Sequence, residues 1–268
     1  MSHWTIDSAR TLDLDDVSEL RVSVVGGRLD VITSPEPVTR LEVTDIDSIP
    51  LEISLESGVL VVRHGTDNWG SWLKRIGTRN QRITLSIAVP PDTTVHAATV
   101  NGDALISGMR ASTDLHTVSG SVMSDATAGT MSVNTVSGEV VVRNHQGPLT
   151  AKSVSGEVTA SGDLHTISAK TVSGDLAFDL NGHPAEAQIT GVSGDMTLRL
   201  PAEVGVDLQA KTVSGKVILD DLRFSGSAQT IEAGSGPQEG RFRLKASTVS
   251  GDLSIVHQRE SYVQGGIR

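Results

Sequence analysis

The sequence predicts an all-β, single-stranded β-solenoid with about 18 residues per repeat and a short helical or loop insertion near residues 68–77. Three observations carry this expectation. The tripeptide Val-Ser-Gly occurs seven times, at Val118, Val136, Val154, Val172, Val192, Val213 and Val249. Counted from the forerunner Val100-Asn101-Gly102, its first four intervals are each 18 residues. A fixed period of this length marks units too small to bury their own apolar face, which they bury by stacking. Aromatic residues make up only 3% of a chain that is 37% hydrophobic, so the interior is thin and lined by aliphatic side chains. Apolar and polar residues also alternate through most of the chain, which is the strand period.

Residues 1–9 read as an extension, and residues 10–90 as a β-region continuous with the solenoid. Within that region Leu20-Arg21-Val22-Ser23-Val24, Leu41-Glu42-Val43 and Leu51-Glu52-Ile53-Ser54-Leu55 alternate with period two. Gly26-Gly27 and Ser34-Pro35-Glu36-Pro37 separate such strands, and Val25-Gly26-Gly27 is a worn copy of the later motif.

The pattern changes between Asp67 and Arg82. Trp69, Trp72, Leu73 and Ile76 fall at helical spacing, with Asn68 as a candidate N-cap and Gly77 past the C-terminus, so the spacing predicts a two-turn helix that Gly70 weakens. Strand character resumes at Ile83-Thr84-Leu85-Ser86-Ile87-Ala88-Val89, and Pro90-Pro91-Asp92 punctuates the chain before the repeats.

Residues 91–257 form the Val-Ser-Gly solenoid, and 258–268 a flexible tail. Each repeat places one strand on either side of the Val-Ser-Gly corner and closes through a second corner. The later intervals of 20, 21 and 36 residues put their extra length near Asn181–Pro184, Pro201–Gly205 and Arg223–Gly240. All three fall at the second corner, where stacked strands are not disturbed. The last excursion reads as a long hairpin or loop, although 36 is also twice the repeat.

At the Val-Ser-Gly corner, Gly120, Gly138, Gly156, Gly174, Gly194, Gly215 and Gly251 are structural turn residues, serving either a positive φ or a close approach. The valine of the motif and the residue four later are both expected to stack into aliphatic ladders of the core. After glycine come Ser121, Glu139, Glu157, Asp175, Asp195, Lys216 and Asp252, where the carboxylates form either a solvated row or a cation-binding one. Side chains on so regular a row make a poor cage, and no metal or cofactor is expected.

Catalytic chemistry is not evident. The chain has no cysteine, no His-Glu-x-x-His, no phosphate-binding glycine loop and no Gly-x-Ser-x-Gly, and the acidic residues recur at repeated positions without a distinctive cluster. A formal charge of −10 argues against nucleic-acid partners. No apolar run reaches the length of a signal peptide or a spanning helix, which favours a cytoplasmic protein whose membrane contact, if any, is peripheral.

One segment departs from the pattern. Trp69, Trp72, Lys74, Arg75, Arg79 and Arg82 lie in a stretch with no acid between Asn68 and Pro91, a local charge of +4. Such a segment suits a protein partner or an anionic membrane surface, and its structural alternative is a cap on the open end of the solenoid.

The copies typified by Ser153-Val154-Ser155-Gly156-Glu157-Val158 and Thr171-Val172-Ser173-Gly174-Asp175-Leu176 follow an N-terminal strand region and a Val89-Pro90 step. This arrangement, over roughly residues 10 to 257, resembles the bacterial "putative adhesin" domain of unknown function, also called the toast-rack β-strand repeat family. The resemblance implies a β-solenoid without established catalytic residues, and similar domains are associated with envelope-stress systems as scaffolds near the membrane. The combined expectation is a non-enzymatic scaffold for a protein partner. The alternative is an adhesin-like surface for carbohydrate or another ligand.

Overall fold

Twenty-four strands account for the regular structure of the described residues, which in this computed structural model are 2–47, 49–65 and 81–258. The helix expected near 68–77 and the tail from residue 259 lie outside them. No helix occurs among the described residues.

The N-terminal region holds β1 (Ser2–Ile6), β2 (Arg10–Leu14), β3 (Glu19–Thr33), β4 (Thr39–Ile46), β5 (Leu51–Glu56), β6 (Val59–His64), β7 (Ile83–Val89) and β8 (Thr94–Ser107). The repeats then contribute two strands per rung: β9 (Thr113–Thr117) and β10 (Val122–Asp125), β11 (Met131–Thr135) and β12 (Val140–Gln146), β13 (Leu149–Ser153) and β14 (Val158–Asp163). They continue with β15 (Thr166–Thr171) and β16 (Leu176–Leu180), then β17 (Glu186–Thr190) and β18 (Met196–Leu200). The C-terminal region holds β19 (Val206–Thr212), β20 (Val217–Leu219), β21 (Leu222–Phe224), β22 (Gln229–Ser235), β23 (Phe242–Thr248) and β24 (Leu253–His257).

Each rung pairs parallel with the next at a shift of one repeat: Met131 lies opposite Leu149, and Val140 opposite Val158. The strands before the Val-Ser-Gly corner form one layer and those after it another. Their inward residues interdigitate: Val133, Ala151 and Ala169 from the first layer, Val140, Val158 and Leu176 from the second, all essentially inaccessible to solvent. Phe178 and Phe242 are the only aromatics among the largest fully buried side chains, so the interior is as thin as the scarcity of aromatics predicts.

The two ends are built differently from the middle. At the C-terminal end the rungs do not follow chain order, because β23 lies between β17 and β19, and β24 between β18 and β20. The last rung of the chain is therefore inserted beneath the one before it. The 36-residue interval is explained by β21 and β22, which run antiparallel to β20 and β19 and cover the outermost rung. The N-terminal end repeats this device: β3 lies between β8 and the rung formed by β6 and β7, and antiparallel β5 and β4 cover that outer rung. Parallel stacking would leave an open row of backbone groups at each end, and antiparallel strands shield it.

Candidate functional site

The repeated corner is a four-residue device. In the Thr171 rung the threonine points inward and its hydroxyl donates to the Gly174 carbonyl at 2.8 Å while accepting from the Gly174 amide at 2.9 Å. Thr212 and Thr248 receive the corresponding amides of Gly215 and Gly251 at 2.8 and 3.0 Å. This latch satisfies backbone groups that would otherwise be buried without partners. The next two residues face outward, and the serine hydroxyl bonds one rung back: Ser137 donates to the Val118 carbonyl at 2.9 Å, and Ser155 to that of Val136 at 3.1 Å.

Glycine is required by proximity. None of the seven corner glycines has a positive φ. A Cβ on Gly174 would overlap the carbonyl oxygen of Gly156, and one on Gly156 would overlap that of Gly138. Gly120, Gly194, Gly215 and Gly251 meet a neighbouring glycine carbonyl in the same way. Close approach, not a positive φ, is what requires glycine at these corners.

The acidic row has a structural task. Asp175 accepts the backbone N–H of Asp195 at 2.8 Å, Asp195 that of Asp252 at 2.9 Å, and Asp252 that of Lys216 at 2.8 Å. Among the described residues no cluster of His, Asp and Glu is arranged to hold a metal ion.

The valine of the motif is where the structure departs from expectation. It does not join the core. Val136, Val154, Val172, Val192, Val249 and Val213 are 39–51% exposed and stand in rung order along one edge. The reason is a change of phase: Met131, Val133 and Thr135 alternate inward, then Val136 and Ser137 both face out before Gly138 turns in. Read back from Val140, period two puts Val136 inside; read forward from Met131, it puts Val136 outside, and the forward reading is the true one. The residue four later is buried in every rung, as expected.

The edge continues through half-buried Val118, Val100 and Val25. A groove of about 300 Å³ runs beside its N-terminal part, with Val100, Val118, Val136 and Val154 on one side and Asn134 and Lys152 on the other. At ~4.8 Å per rung the six exposed valines span about 24 Å, and together they present roughly 400 Å² of apolar surface, within the range of the largest apolar patch of a monomeric protein, which is often functional.

Of the interaction residues expected from the sequence, Trp69, Trp72, Lys74, Arg75 and Arg79 lie outside the described residues. Arg82 is exposed, and its carbonyl accepts the Asp47 amide at 3.0 Å. His64 is in register with Val24, so Gly65 lies on the Val-Ser-Gly side of its rung.

Two further polar groupings stand apart from the repeated corner. His257 Nδ1 lies 2.9 Å from Asp220 and the Ser235 hydroxyl donates to the same carboxylate, but His257 Nε2 faces the Val204 carbonyl, so histidine and serine are not paired as base and nucleophile. His145 enters the core through a bulge after Val142, with Asn144 at φ 52, and its Nδ1 meets the Thr127 hydroxyl at 3.0 Å. Burial holds both His145 and His64 below the ordinary imidazole range.

Fold and corner together define a class, the capped β-solenoids whose rungs meet at a repeated valine-serine-glycine edge. The sequence profile of the Toastrack DUF4097 family matches residues 80–256, and the chain belongs to that family. Similar solved structures include a "putative lipid binding protein" of Parabacteroides distasonis, 13% identical with a TM-score of 0.54 over 94% of this chain and 97% of that one. A "putative adhesin" of Bacteroides fragilis is 12% identical with a TM-score of 0.52 over the same shares. A "putative adhesin" of P. distasonis is 14% identical with a TM-score of 0.50 over 94% of this chain and 96% of that one. At such identities the likeness is one of fold. No curated protein matches the chain.

Proposed function

We propose that this protein is a non-catalytic scaffold that binds a macromolecular partner along its valine edge. The observation that carries the reading is the in-register row of six half-exposed valines. Folding does not demand valine there, because threonine has the same β-branched shape and stacks as well on a strand while exposing less apolar surface. An apolar column kept in all seven copies therefore suits contact with something outside the fold.

A photo-crosslinking amino acid placed at Val172 in the native bacterium tests this. Discrete adducts are expected there and not from the same group at Asn181 on the opposite corner. Adducts at neither position, or the same adducts at both, would overturn the reading.

Contact with an anionic membrane through Trp69, Trp72, Lys74, Arg75, Arg79 and Arg82 is a second reading, favoured by the +4 charge of that segment. The name of the P. distasonis relative, "putative lipid binding protein", is in keeping with it. Flotation with anionic liposomes should be lost in Trp72→Ala and Arg75→Glu; equal flotation of all three proteins, or of none, removes it. We propose a cytoplasmic, membrane-peripheral setting for either activity, as part of an envelope-stress response. A carbohydrate-binding adhesin fits less well, since the exposed large hydrophobics among the described residues include no aromatic platform for a sugar ring.

A further inference from the structure

The charges beside the valine edge are sorted by side. Two residues before the valine, on the outer face of the first layer, stand Lys152 and Lys170, in register with each other and exposed. Three residues after it, on the second layer, stand Glu139, Glu157, Asp175 and Asp195, also exposed. Among the described residues neither lysine has a carboxylate within ion-pairing distance. The edge is thus an apolar ridge with a basic flank and an acidic flank, each about two to three residues, or roughly 7–10 Å, from the ridge.

Such a surface is complementary to itself in one orientation. A two-fold axis lying along the ridge carries the basic flank of one copy onto the acidic flank of the other, with the two solenoids parallel. A two-fold axis across the ridge makes the solenoids antiparallel and sets lysine against lysine. We infer that the partner of the valine edge is a second copy of this chain, in a parallel dimer whose two-fold axis runs along the solenoid.

In that dimer each rung faces its own counterpart. Val172 meets Val172, Lys170 meets the opposing Asp175, and Lys152 the opposing Glu157. The outermost rung is less well matched, carrying Lys211 and Lys216 on its two flanks, so the central rungs hold the pair. Two ridges of roughly 400 Å² of apolar surface each, extended by their charged flanks, approach the roughly 1,200 Å² of total buried surface at the lower end of specific interfaces. The acidic flank repels anionic lipid and so favours a protein occupant for this edge over a membrane.

The inference rests on the interaction reading of the edge and is separable from it. Sedimentation equilibrium from 1 to 100 µM should show a concentration-dependent dimer, weakened at least tenfold in Val172→Asp, whose far-UV circular dichroism should match wild type because the site is exposed. Lys152→Glu and Glu157→Lys should each weaken association alone and, mixed as a doubly reversed pair, recover a 1:1 heterodimer. In this cysteine-free chain, Val136→Cys and Val249→Cys should each form a disulfide with the same residue of a second copy, which an antiparallel arrangement forbids at both ends of the ridge. A wild type that stays monomeric throughout, or a doubly reversed pair that fails to recover together, overturns the dimer. If adducts to another protein still form at Val172 in the cell, the edge is an interaction site with a different partner; if they too are absent, both readings fall.

Discussion

The two corners of a rung solve the same problem, reversing an extended chain between two layers, by opposite means. The Val-Ser-Gly corner does it the same way in every copy, with two outward residues and a glycine seated on the carbonyl of the glycine beneath, and in all but the Val192 copy with a hydroxyl latch. The opposite corner does it differently each time: a bulge with Asn144 at φ 52, Gly162 at φ 143, or a loop around Gly182 at φ 68. Where every rung makes the same backbone contact with the next, nothing can vary alone. At the opposite corner such contacts are made only by some rungs, as by Gly147 on Gly129 and Gly162 on His145, and insertions and positive dihedrals are accommodated between them.

The sharpest way to break this comparison is glycine to alanine at each corner. Gly174→Ala forces a Cβ against the Gly156 carbonyl and carbon, backbone atoms that cannot yield without parting two rungs. We expect a loss of about 3 kcal/mol or more in urea unfolding. Gly182→Ala is strained by its φ of 68, but its neighbour is the end of the Asp163 side chain, which can turn aside. Its cost should be nearer 1 kcal/mol, the usual cost of a left-handed non-glycine residue. Equal losses would show that close approach is not what fixes the repeated glycine.

A smaller effect separates the latch from the turn it closes. Thr171→Val keeps shape and volume but leaves the Gly174 N–H and C=O without the hydroxyl that bonds both. Unsatisfied buried backbone groups cost about 1–3 kcal/mol, so a loss of about 2 kcal/mol is expected. The chain supplies a partial control: at the Val192 rung the latch position is Gly191, and that corner folds alike. If Thr171→Val costs nothing, the hydroxyl is incidental and stacking alone shapes the corner.

How far the sequence discloses these features follows from the range of the interactions. The inner ladder of Val140, Val158 and Leu176 is legible because alternation is local and the period repeats. The outward valine is not, because the corner inserts a second outward residue and shifts the phase between Thr135 and Gly138. The exchange of the last two rungs is invisible for a different reason. An interval of 36 residues equals two repeats whether the chain adds a rung or runs antiparallel along β22 and returns beneath β19. Only pairing across the sheet distinguishes them. Spacing alone marks the corner glycines in the sequence, while the exposed edge has no comparable local signal.

The opposite corner also makes the fold sensitive to pH in a window the repeated corner does not share. His145 is brought into the core there, and burial lowers its pKa from the ordinary 6.5, as it does for His64 in the N-terminal region. The folded state holds these rings neutral while the unfolded chain takes up protons below about pH 6.5. Stability is therefore full above that pH and declines as pH falls through the window below it. Carboxylates held low, such as Asp179 beside Arg199, lose their contribution only as pH falls below the ordinary 3.8. Between pH 7 and 5 the decline in urea midpoint should be smaller in His145→Gln than in wild type. Parallel curves would show that His145 does not stay neutral in the fold.

The smallest expected change in stability belongs to the residue that matters most for the proposed function. Val172→Thr retains the β-branched shape on an exposed edge next to the Thr171 latch, and its unfolding free energy should stay within about 0.5 kcal/mol of wild type. The same substitution places a hydroxyl at the centre of the apolar ridge, where a facing copy offers only the methyl groups of its own column. Self-association by sedimentation should weaken severalfold, and further when Val154→Thr is added. Stability and association would then separate at adjacent residues, Thr171 serving the first and Val172 the second. If Val172→Thr lowers stability as much as Thr171→Val does, the valine column is part of the folding apparatus, and the edge has no claim to a partner.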